Sequence, residues 1–246
     1  MAQIKPFRAL RFTDGAGDLS KLTCPPYDII PEQERLSLLA ENPNNVVRLE
    51  LPREGEDPYA QAGETLRAWL RDNILRRDTD PGFYIYEEEF SAYGKTKKIK
   101  GFVCAVRLEE FSKGIILPHE ETLSKAKADR FSLMKATGCN FSQIYSLYND
   151  EGGATRARID ALSSGEPRCE FTDVVIDAIR GDFEDRKLYI ADGHHRYETA
   201  LNFRNDCREN DLSKEGDDPD YVMMMLVDME NDGLVVFPTH RMLRNL

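Results

Sequence analysis

The segment at residues 188–200 constrains the fold of this chain more than any other; it reads LYIADGHHRYETA. Its apolar start, residues 188–191, predicts a short buried strand, and residues with helical spacing follow Arg196. Asp192 and Gly193 lie between them and predict a tight turn, because glycine adopts backbone conformations that other residues avoid. The pattern therefore predicts a strand that passes through a glycine turn directly into a helix.

The same segment contains several ionisable side chains close together. Asp192, His194, His195 and Arg196 supply a carboxylate, two imidazoles and a guanidinium. A helix start offers free N–H groups and a positive dipole end, and glycine lets the backbone approach a phosphate. Imidazole exchanges protons near neutral pH, and arginine binds phosphate or carboxylate bidentately. We interpret the segment as a ligand-binding or catalytic turn rather than as a pair of surface histidines.

Composition limits the class of protein. A chain of 246 residues with 41% hydrophobic and 31% charged residues is typical of a soluble globular protein of one or two domains. No apolar run approaches the roughly 20 residues that span a bilayer, and the N-terminus lacks the apolar core of a secretion signal. Five scattered cysteines without a CxxC pair predict reduced thiols. We therefore expect a cytoplasmic protein that does not enter a membrane.

The net charge of −11 makes the chain a poor general nucleic-acid binder. Such binding draws most of its affinity from lysine and arginine side chains that neutralise phosphates. A small anionic ligand held by a few arginines is still compatible with this charge. We therefore expect a small molecule, rather than DNA or RNA, as the partner.

Hydrophobic spacing predicts separate helices, strands and hairpins. The predicted helices cover residues 31–41, 57–76, 124–137, 155–162, 173–179 and 196–209. Strands are predicted at residues 46–51 and 188–191, and hairpins pair residues 83–90 with 98–108 and residues 221–229 with 234–237. This mixture favours an α+β architecture with a mixed sheet over a regular alternation of strand and helix. We expect residues 1–246 to form one α+β unit.

A second polar cluster follows Pro118. It contains His119, Glu120, Lys127, Asp129, Arg130, Asn140, Ser142 and Gln143. Adjacent histidine and glutamate suggest a metal site, but HEET is not the HExxH motif of zinc proteases. The cluster is either a charged loop with a solvated helix or a polar rim of a site. In the second case Glu120 would be a general base, and Lys127 and Arg130 would bind phosphate.

Three further positions each have two interpretations. Asp28, which follows two prolines, either caps a helix or binds a ligand. Arg48, on the predicted strand, forms either a structural salt bridge or an anion contact. His240 and Arg241 either complete an anion site or belong to a frayed end. The chain has no P-loop, no GxGxxG motif after a strand and no GxSxG motif.

Five motifs in order give the chain a wider resemblance. They are PPYD at 25–28, NPNNVVRLELP at 42–52, HEETLSKAKADRFSLMKATGCNFSQIYSLYND at 119–150, LYIADGHHRYETAL at 188–201 and PTHR at 238–241. Together they resemble the DUF1015 family of uncharacterised bacterial and archaeal proteins. Members of that family continue beyond the PTHR motif, so the resemblance implies that this chain is the N-terminal part of a longer protein.

The turn at residues 192–200 also resembles the signature of the ParB/sulfiredoxin-like superfamily, which includes the free-serine kinases. This resemblance implies a ParB/sulfiredoxin-like core around the turn. It further implies a nucleotide-binding phosphotransferase that acts on a small hydroxylated metabolite, such as serine. ATP or ADP with Mg²⁺ would be the cofactor. The family itself establishes no activity.

This hypothesis assigns a role to each candidate residue. The catalytic candidates are Glu120, His195 and Asp192. The cofactor-binding candidates are Gly193, His194, Arg196, Lys127, Arg130 and Arg48. The substrate-binding candidates are Asp28, His119, Asn140, Ser142, His240 and Arg241.

Two alternatives stay open. The chain could be a non-enzymatic, ParB-like module that senses a nucleotide and changes its conformation or partners. It could also be a metal-dependent hydrolase that uses His119, Glu120, His194 and His195, whose side chains suit a transition metal. The sequence determines neither the substrate, nor the nucleotide, nor the oligomeric state, nor whether the chain is an enzyme.

Overall fold

A seven-stranded mixed sheet lies at the centre of the fold, in a computed structural model that describes residues 1–122, 124–164, 173–210 and 218–235. The strands are β1 (Ile4–Lys5), β2 (Leu10–Phe12), β3 (Leu75–Arg77), β4 (Tyr84–Ala92), β5 (Lys95–Arg107), β6 (Ile116–Leu117), β7 (Ile144–Tyr148), β8 (Leu188–Asp192) and β9 (Tyr221–Asp228). The helices are α1 (Leu19–Leu22), α2 (Glu32–Glu41), α3 (Val47–Glu50), α4 (Pro58–Arg71), α5 (Ser124–Thr137), α6 (Ala154–Leu162), α7 (Asp173–Asp182) and α8 (His194–Asn210).

The strand order is β1-β5-β9-β7-β8-β6, and β4 forms an antiparallel hairpin with β5. β5 is also antiparallel to β1 and β9, whereas β7 runs parallel to β9 and β6 runs parallel to β8. β2 and β3 form a separate two-stranded sheet. The α+β class, with a mixed sheet, a hairpin and separate helices, is therefore confirmed.

The largest hydrophobic cluster joins the central sheet to helices α6, α7 and α8. Phe102, Ile144 and Ile190 of the sheet pack in the same cluster as Ile179 of α7 and Tyr197 of α8. A second cluster joins α3, α4, β3 and α5, with Trp69 of α4 as its largest buried side chain. The first cluster fixes the position of β8 and of the helix that follows it, and so the position of the turn between them.

The predicted strand at residues 46–51 is wrong, because this segment forms the short helix α3. The buried Asn45 side chain accepts a hydrogen bond from the Val47 N–H (2.9 Å) and donates to the Lys21 and Thr23 carbonyls. These hydrogen bonds stabilise a helical turn where the alternating apolar pattern predicts extended backbone. Val47 and Leu49 are fully buried but belong to two different clusters. Tertiary packing therefore overrides the local strand propensity.

Two other boundaries also differ from the prediction. The helix predicted over residues 57–76 ends at Arg71, because Asn73 has a positive φ of 56° and the chain then enters β3. The second strand of the last predicted hairpin is not formed at residues 234–235, and residues 236–237 lie outside the described residues. Among the described helices, none is both long and apolar enough to cross a membrane.

Candidate functional site

The predicted strand, glycine turn and helix are all present at residues 188–210. β8 ends at Asp192, Gly193 has a φ of +93°, and the 17-residue helix α8 begins at His194. A Cβ atom at position 193 would lie 3.0 Å from the Nε and Cζ atoms of Arg196. Both the backbone conformation and the close guanidinium therefore favour glycine at this position.

The parallel pairing of β6 with β8 brings His119 to this turn. Leu117 lies opposite Tyr189 in that pair, so the chain leaves β6 beside the end of β8. His119 Nδ1 lies 2.7 Å from the Ile190 carbonyl oxygen. A carbonyl only accepts hydrogen bonds, so Nδ1 must donate, and His119 Nε2 keeps its lone pair. The His119 and His194 rings meet edge to face, with their centroids 4.5 Å apart.

His194 is held in one tautomer by the backbone of the same loop. The His119 N–H donates to His194 Nε2 (3.2 Å), so the proton of the neutral ring lies on Nδ1. Burial lowers the pKa of His194, which is only 1% exposed, and the nearby Glu120 carboxylate opposes this effect. His194 is therefore a neutral imidazole at neutral pH.

Glu120 faces the remaining nitrogen of His194. Its Oε1 atom lies 3.0 Å from His194 Nδ1, but the two atoms are not aligned for a hydrogen bond. The Glu120 side chain is 53% exposed, so a rotation of the carboxylate can align it with the Nδ1–H group. The pair thus combines an accessible carboxylate with a fixed, buried donor.

His119, Glu120 and His194 also form a candidate metal site. One donor atom from each residue lies within 4.8 Å of the others, and two imidazoles with a carboxylate suit a transition metal. The tautomer of His194 opposes this use. Coordination through Nδ1 would move the ring proton to Nε2, which already faces the His119 N–H donor. The ligand types and spacing fit a metal ion, but the hydrogen bonds favour a proton on Nδ1.

Lys127 lies beside the turn in an ion pair with Glu198 of α8. The Lys127 Nζ atom is 2.5 Å from Glu198 Oε2, and the Thr122 hydroxyl donates to the same oxygen (2.7 Å). Burial acts to raise the pKa of Glu198, but these two hydrogen bonds outweigh it, so the pKa is lowered. Lys127 is thus held by a carboxylate.

Arg196 is fixed above the glycine turn by two oxygen atoms. Its guanidinium contacts the Asp192 carboxylate and the Gln143 carbonyl. The Asp192 side chain is 69% exposed, whereas that of Arg196 is only 20% exposed. The cation is therefore the more buried partner of this ion pair, and the carboxylate is the more accessible one.

Arg130 lies deeper than sequence reasoning implies for a phosphate ligand. It is 6% exposed, donates to the Glu50 carbonyl (2.8 Å) and to Asp129 Oδ2 (2.8 Å), and stacks over the Tyr27 ring. Asn140 and Ser142 line a small cavity with Arg130 and Glu50. The structure therefore brings three predicted site residues around a glutamate that the sequence-based assignment omits.

The other predicted residues take different positions. Arg48 donates from Nε to the Pro43 carbonyl (2.8 Å) and lies on α3 rather than on a strand. Asp28 is exposed next to Tyr27, and His195 is partly buried on the first turn of α8. His240 and Arg241 lie outside the described residues.

Glu50 is the residue that the sequence-based assignment missed. It lies in the apolar segment 46–51, where a charged side chain is an available signal of either a solvent-facing or a buried polar role. Glu50 is only 5% exposed, so its role is a buried polar one. Burial also raises the pKa of Glu50, while the Arg130 charge and the Ser142 hydroxyl oppose this shift.

Comparison with known proteins gives one match. A protein-family model described as "Protein of unknown function (DUF1015)" matches residues 4–246. No curated protein and no solved structure matches the chain. The ParB/sulfiredoxin-like core stays a prediction.

Proposed function

We propose that this chain, which belongs to the DUF1015 family of proteins of unknown function, is a nucleotide-binding phosphotransferase. Its acceptor would be a small hydroxylated metabolite. The proposal depends on one observation: the exposed Glu120 carboxylate lies 3.0 Å from His194 at the start of α8. A potential general base and an anion-binding helix start are thereby adjacent.

The start of α8 supplies the phosphate-binding part of the proposed site. A 17-residue helix presents N–H groups and a positive dipole end at His194, and the Arg196 guanidinium lies against Gly193. Arg196 is already paired with the exposed Asp192 carboxylate. A nucleotide phosphate carries the same kind of oxyanion, and it would replace Asp192 as the partner of Arg196. Asp192 would then turn towards solvent.

Glu120 supplies the base in this proposal. The acceptor hydroxyl would give its proton to the Glu120 carboxylate while its oxygen forms a bond to the terminal phosphorus. The bond from that phosphorus to the bridging oxygen breaks, and the nucleoside diphosphate leaves. The His194 Nδ1–H group would orient the Glu120 carboxylate during this transfer. Mg²⁺, when bound with the nucleotide, would offset the phosphate charge.

Calorimetric titration of ATP, ADP or CTP, each with Mg²⁺, into the protein tests the proposal. We expect binding to the wild type and its loss in Arg196→Ala, since this variant removes the fixed phosphate partner. Glu120→Gln should bind the nucleotide but lose transfer to hydroxylated acceptors. Arg180→Ala is the matched control, because Arg180 is an exposed arginine in an ion pair on α7. Normal nucleotide binding by Arg196→Ala would contradict the proposal.

Two further measurements on the same protein distinguish an enzyme from a nucleotide sensor. A ParB-like sensing module would change its oligomeric state with nucleotide and transfer no phosphate to any small acceptor. Sedimentation with and without nucleotide, followed by a product assay on a panel of small alcohols, measures both properties. A phosphorylated product formed by wild type and not by Glu120→Gln favours the enzyme.

A metal-dependent hydrolase is the second candidate function. It is favoured by the donor atoms of His119, Glu120 and His194, which lie within 4.8 Å of one another. Elemental analysis of protein purified without a histidine tag tests it. One metal ion per chain in the wild type, and none in His119→Ala, would support the metal site that this candidate function requires. Absence of stoichiometric metal from the wild type would argue against it.

A further inference from the structure

A larger pocket lies on the two-stranded sheet of β2 and β3, and none of its described lining residues belongs to the glycine turn or to the cavity at Glu50. Its volume is about 330 Å³, which is within the range of small-molecule sites in proteins. Arg11 of β2, Arg76 of β3 and Asp78, which follows β3, are among the residues that line it. We call it the arginine pocket. Its charged lining fits a polar ligand rather than an apolar one.

The register of this small sheet places two arginines opposite each other. Arg11 pairs directly with Arg76, so their side chains leave the same face of the sheet, and both line the arginine pocket. Like charges directly opposite each other on antiparallel strands destabilise the pair. An anion beside the two guanidiniums would offset this repulsion.

Asp78 forms an ion pair with one of the two arginines. Its Oδ1 atom accepts hydrogen bonds from Arg11 Nε (2.8 Å) and Nη2 (2.7 Å), and its Oδ2 atom accepts one from the Tyr84 hydroxyl (2.7 Å). Burial acts to raise the pKa of Asp78, but these hydrogen bonds and the charges of Arg11 and Arg76 outweigh it, so the pKa is lowered. Asp78 is therefore an ionised carboxylate that holds the Arg11 guanidinium in place.

The Arg76 side chain has no such partner. In the described part of the chain it forms neither an ion pair nor a hydrogen bond. Asp14 also lines the arginine pocket, but it forms no ion pair with Arg11 or Arg76. A guanidinium presents its donors in a planar fork that matches the oxygens of a phosphate group. The arginine pocket thus combines a guanidinium held by Asp78 with a second one whose donors are available.

We propose that the arginine pocket binds the phosphate group of a small phosphorylated metabolite, with Arg76 as its main partner. Phosphate oxygens point in several directions, so one phosphate group can face the Arg76 fork and lie beside Arg11 at the same time. The pocket has room for more than the phosphate group, so the rest of the metabolite can enter it. This site does not depend on the proposed phosphotransferase activity.

Titration of glycerol 3-phosphate, with glycerol as its uncharged analogue, tests the proposal. In calorimetry at constant ionic strength, we expect the wild type to bind the ester and to bind glycerol at least about tenfold more weakly. Arg76→Gln should weaken binding of the ester at least about tenfold, because it removes a charged bidentate donor. Arg76→Lys keeps the charge but loses the planar fork, so its affinity should be intermediate.

Two neighbouring side chains provide matched controls. Arg77→Gln removes another exposed arginine of β3, at the position opposite Leu10, and should leave binding of the ester unchanged. Asp14→Asn removes a negative charge from the pocket lining and should strengthen binding about twofold. General destabilisation of the fold would not produce effects of opposite sign at Arg76 and Asp14.

Three results would each overturn the proposal. They are equal binding of the ester and glycerol, no binding of the ester by wild type, and unchanged binding by a folded Arg76→Gln. If Arg76→Gln does not fold, as judged by circular dichroism, then unchanged or weaker binding by Asp14→Asn would overturn it.

Arg196→Ala distinguishes the arginine pocket from the phosphate site proposed at the glycine turn. Binding of the ester that is kept in Arg196→Ala and weakened in Arg76→Gln supports the arginine pocket. Binding that is lost in Arg196→Ala and kept in Arg76→Gln would assign the phosphate group to the turn and overturn the arginine pocket. The two proposals can therefore fail separately.

Discussion

Two neighbouring regions of this molecule use carboxylates in opposite ways. At the glycine turn, Glu120 is 53% exposed and lies beside a fixed imidazole. At the cavity, Glu50 is 5% exposed and lies beside a fixed guanidinium. An exposed carboxylate can rotate and exchange partners, whereas a buried carboxylate depends on the few donors around it. The turn therefore presents an accessible carboxylate, whereas the cavity holds a carboxylate with few donors within reach.

The arginines of the two regions, Arg130 at the cavity and Arg196 at the turn, also differ in how exposed their contacts are. Arg130 is buried, stacks on the Tyr27 ring 3.9 Å away and donates to backbone and side-chain oxygens. Arg196 instead pairs with Asp192, whose side chain is 69% exposed and can be displaced. Arg130 is therefore held by buried contacts, whereas the ion-pair partner of Arg196 is accessible to solvent.

Arg130→Ala should give the largest effect if the cavity is the rigid region of the two. The substitution removes the ion-pair partner of the buried Glu50, so we expect a loss of about 3–5 kcal/mol in the free energy of unfolding. Urea denaturation followed by circular dichroism measures it. Arg71→Ala, which breaks an exposed ion pair with Asp72, should change stability by less than about 1 kcal/mol. Similar losses of unfolding free energy in Arg130→Ala and Arg71→Ala would show that the buried ion pair is no more important for stability than an exposed one.

Gly193→Ala should have the next largest effect and tests the turn. A Cβ atom would be strained at φ +93° and would lie 3.0 Å from the Arg196 guanidinium. We expect a loss of about 1–2 kcal/mol in the free energy of unfolding. Gly181→Ala on α7 is the control: a Cβ atom there meets no atom within 4 Å. That variant should be up to about 1 kcal/mol more stable than wild type. A Gly193→Ala variant as stable as wild type would show that the turn needs no glycine.

A smaller effect should appear in the pH dependence of the free energy of unfolding, through Glu50 at the cavity. Burial raises the pKa of Glu50, so folding favours its protonated form. Its contribution to stability is complete below its unfolded pKa and is lost as the pH rises through its folded pKa. Glu50→Gln cannot titrate, so it should become more stable relative to wild type as the pH rises. Unfolding of both proteins in urea between about pH 4 and 8 tests this trend.

His194 at the turn should give the opposite pH trend in the free energy of unfolding. Burial lowers the pKa of His194, so its contribution to stability is complete above its ordinary pKa of 6.5 and is lost as the pH falls. His194→Gln should therefore become more stable relative to wild type as the pH falls, when both are measured with a metal chelator. The same slope for the Glu50 and His194 variants would contradict the contrast between the two regions.

Much of the local structure was predictable because short-range patterns decide it. The strand, glycine turn and helix around Gly193 follow from apolar periodicity and one residue that accepts a positive φ. α4 begins at Pro58 with an Asp57 cap, as the Asp-Pro pair predicts. α3 was not predictable in this way, because the Asn45 side chain that precedes it is held by hydrogen bonds to a distant segment, at Lys21 and Thr23.

The candidate site was predictable as a set of residue types and not as an arrangement. His119, Glu120 and His194 carry obvious proton-transfer or ligand chemistry, but His194 lies more than seventy positions from the other two in sequence. Only the parallel pairing of β6 with β8 brings them together. The sequence also gives no means to see that Lys127 is held by Glu198, or that Arg130 is buried.

The family, the α+β class and the turn at Gly193 were predictable because motif order, periodicity and backbone preference are local properties of the chain. The tautomer of His194, the burial of Glu50 and the cavity that adjoins Arg196 were not predictable from local patterns. These properties depend on which donors, charges and apolar side chains surround a group after distant segments pack. Solvent exclusion, which fixes protonation and partner choice, arises only from that packing.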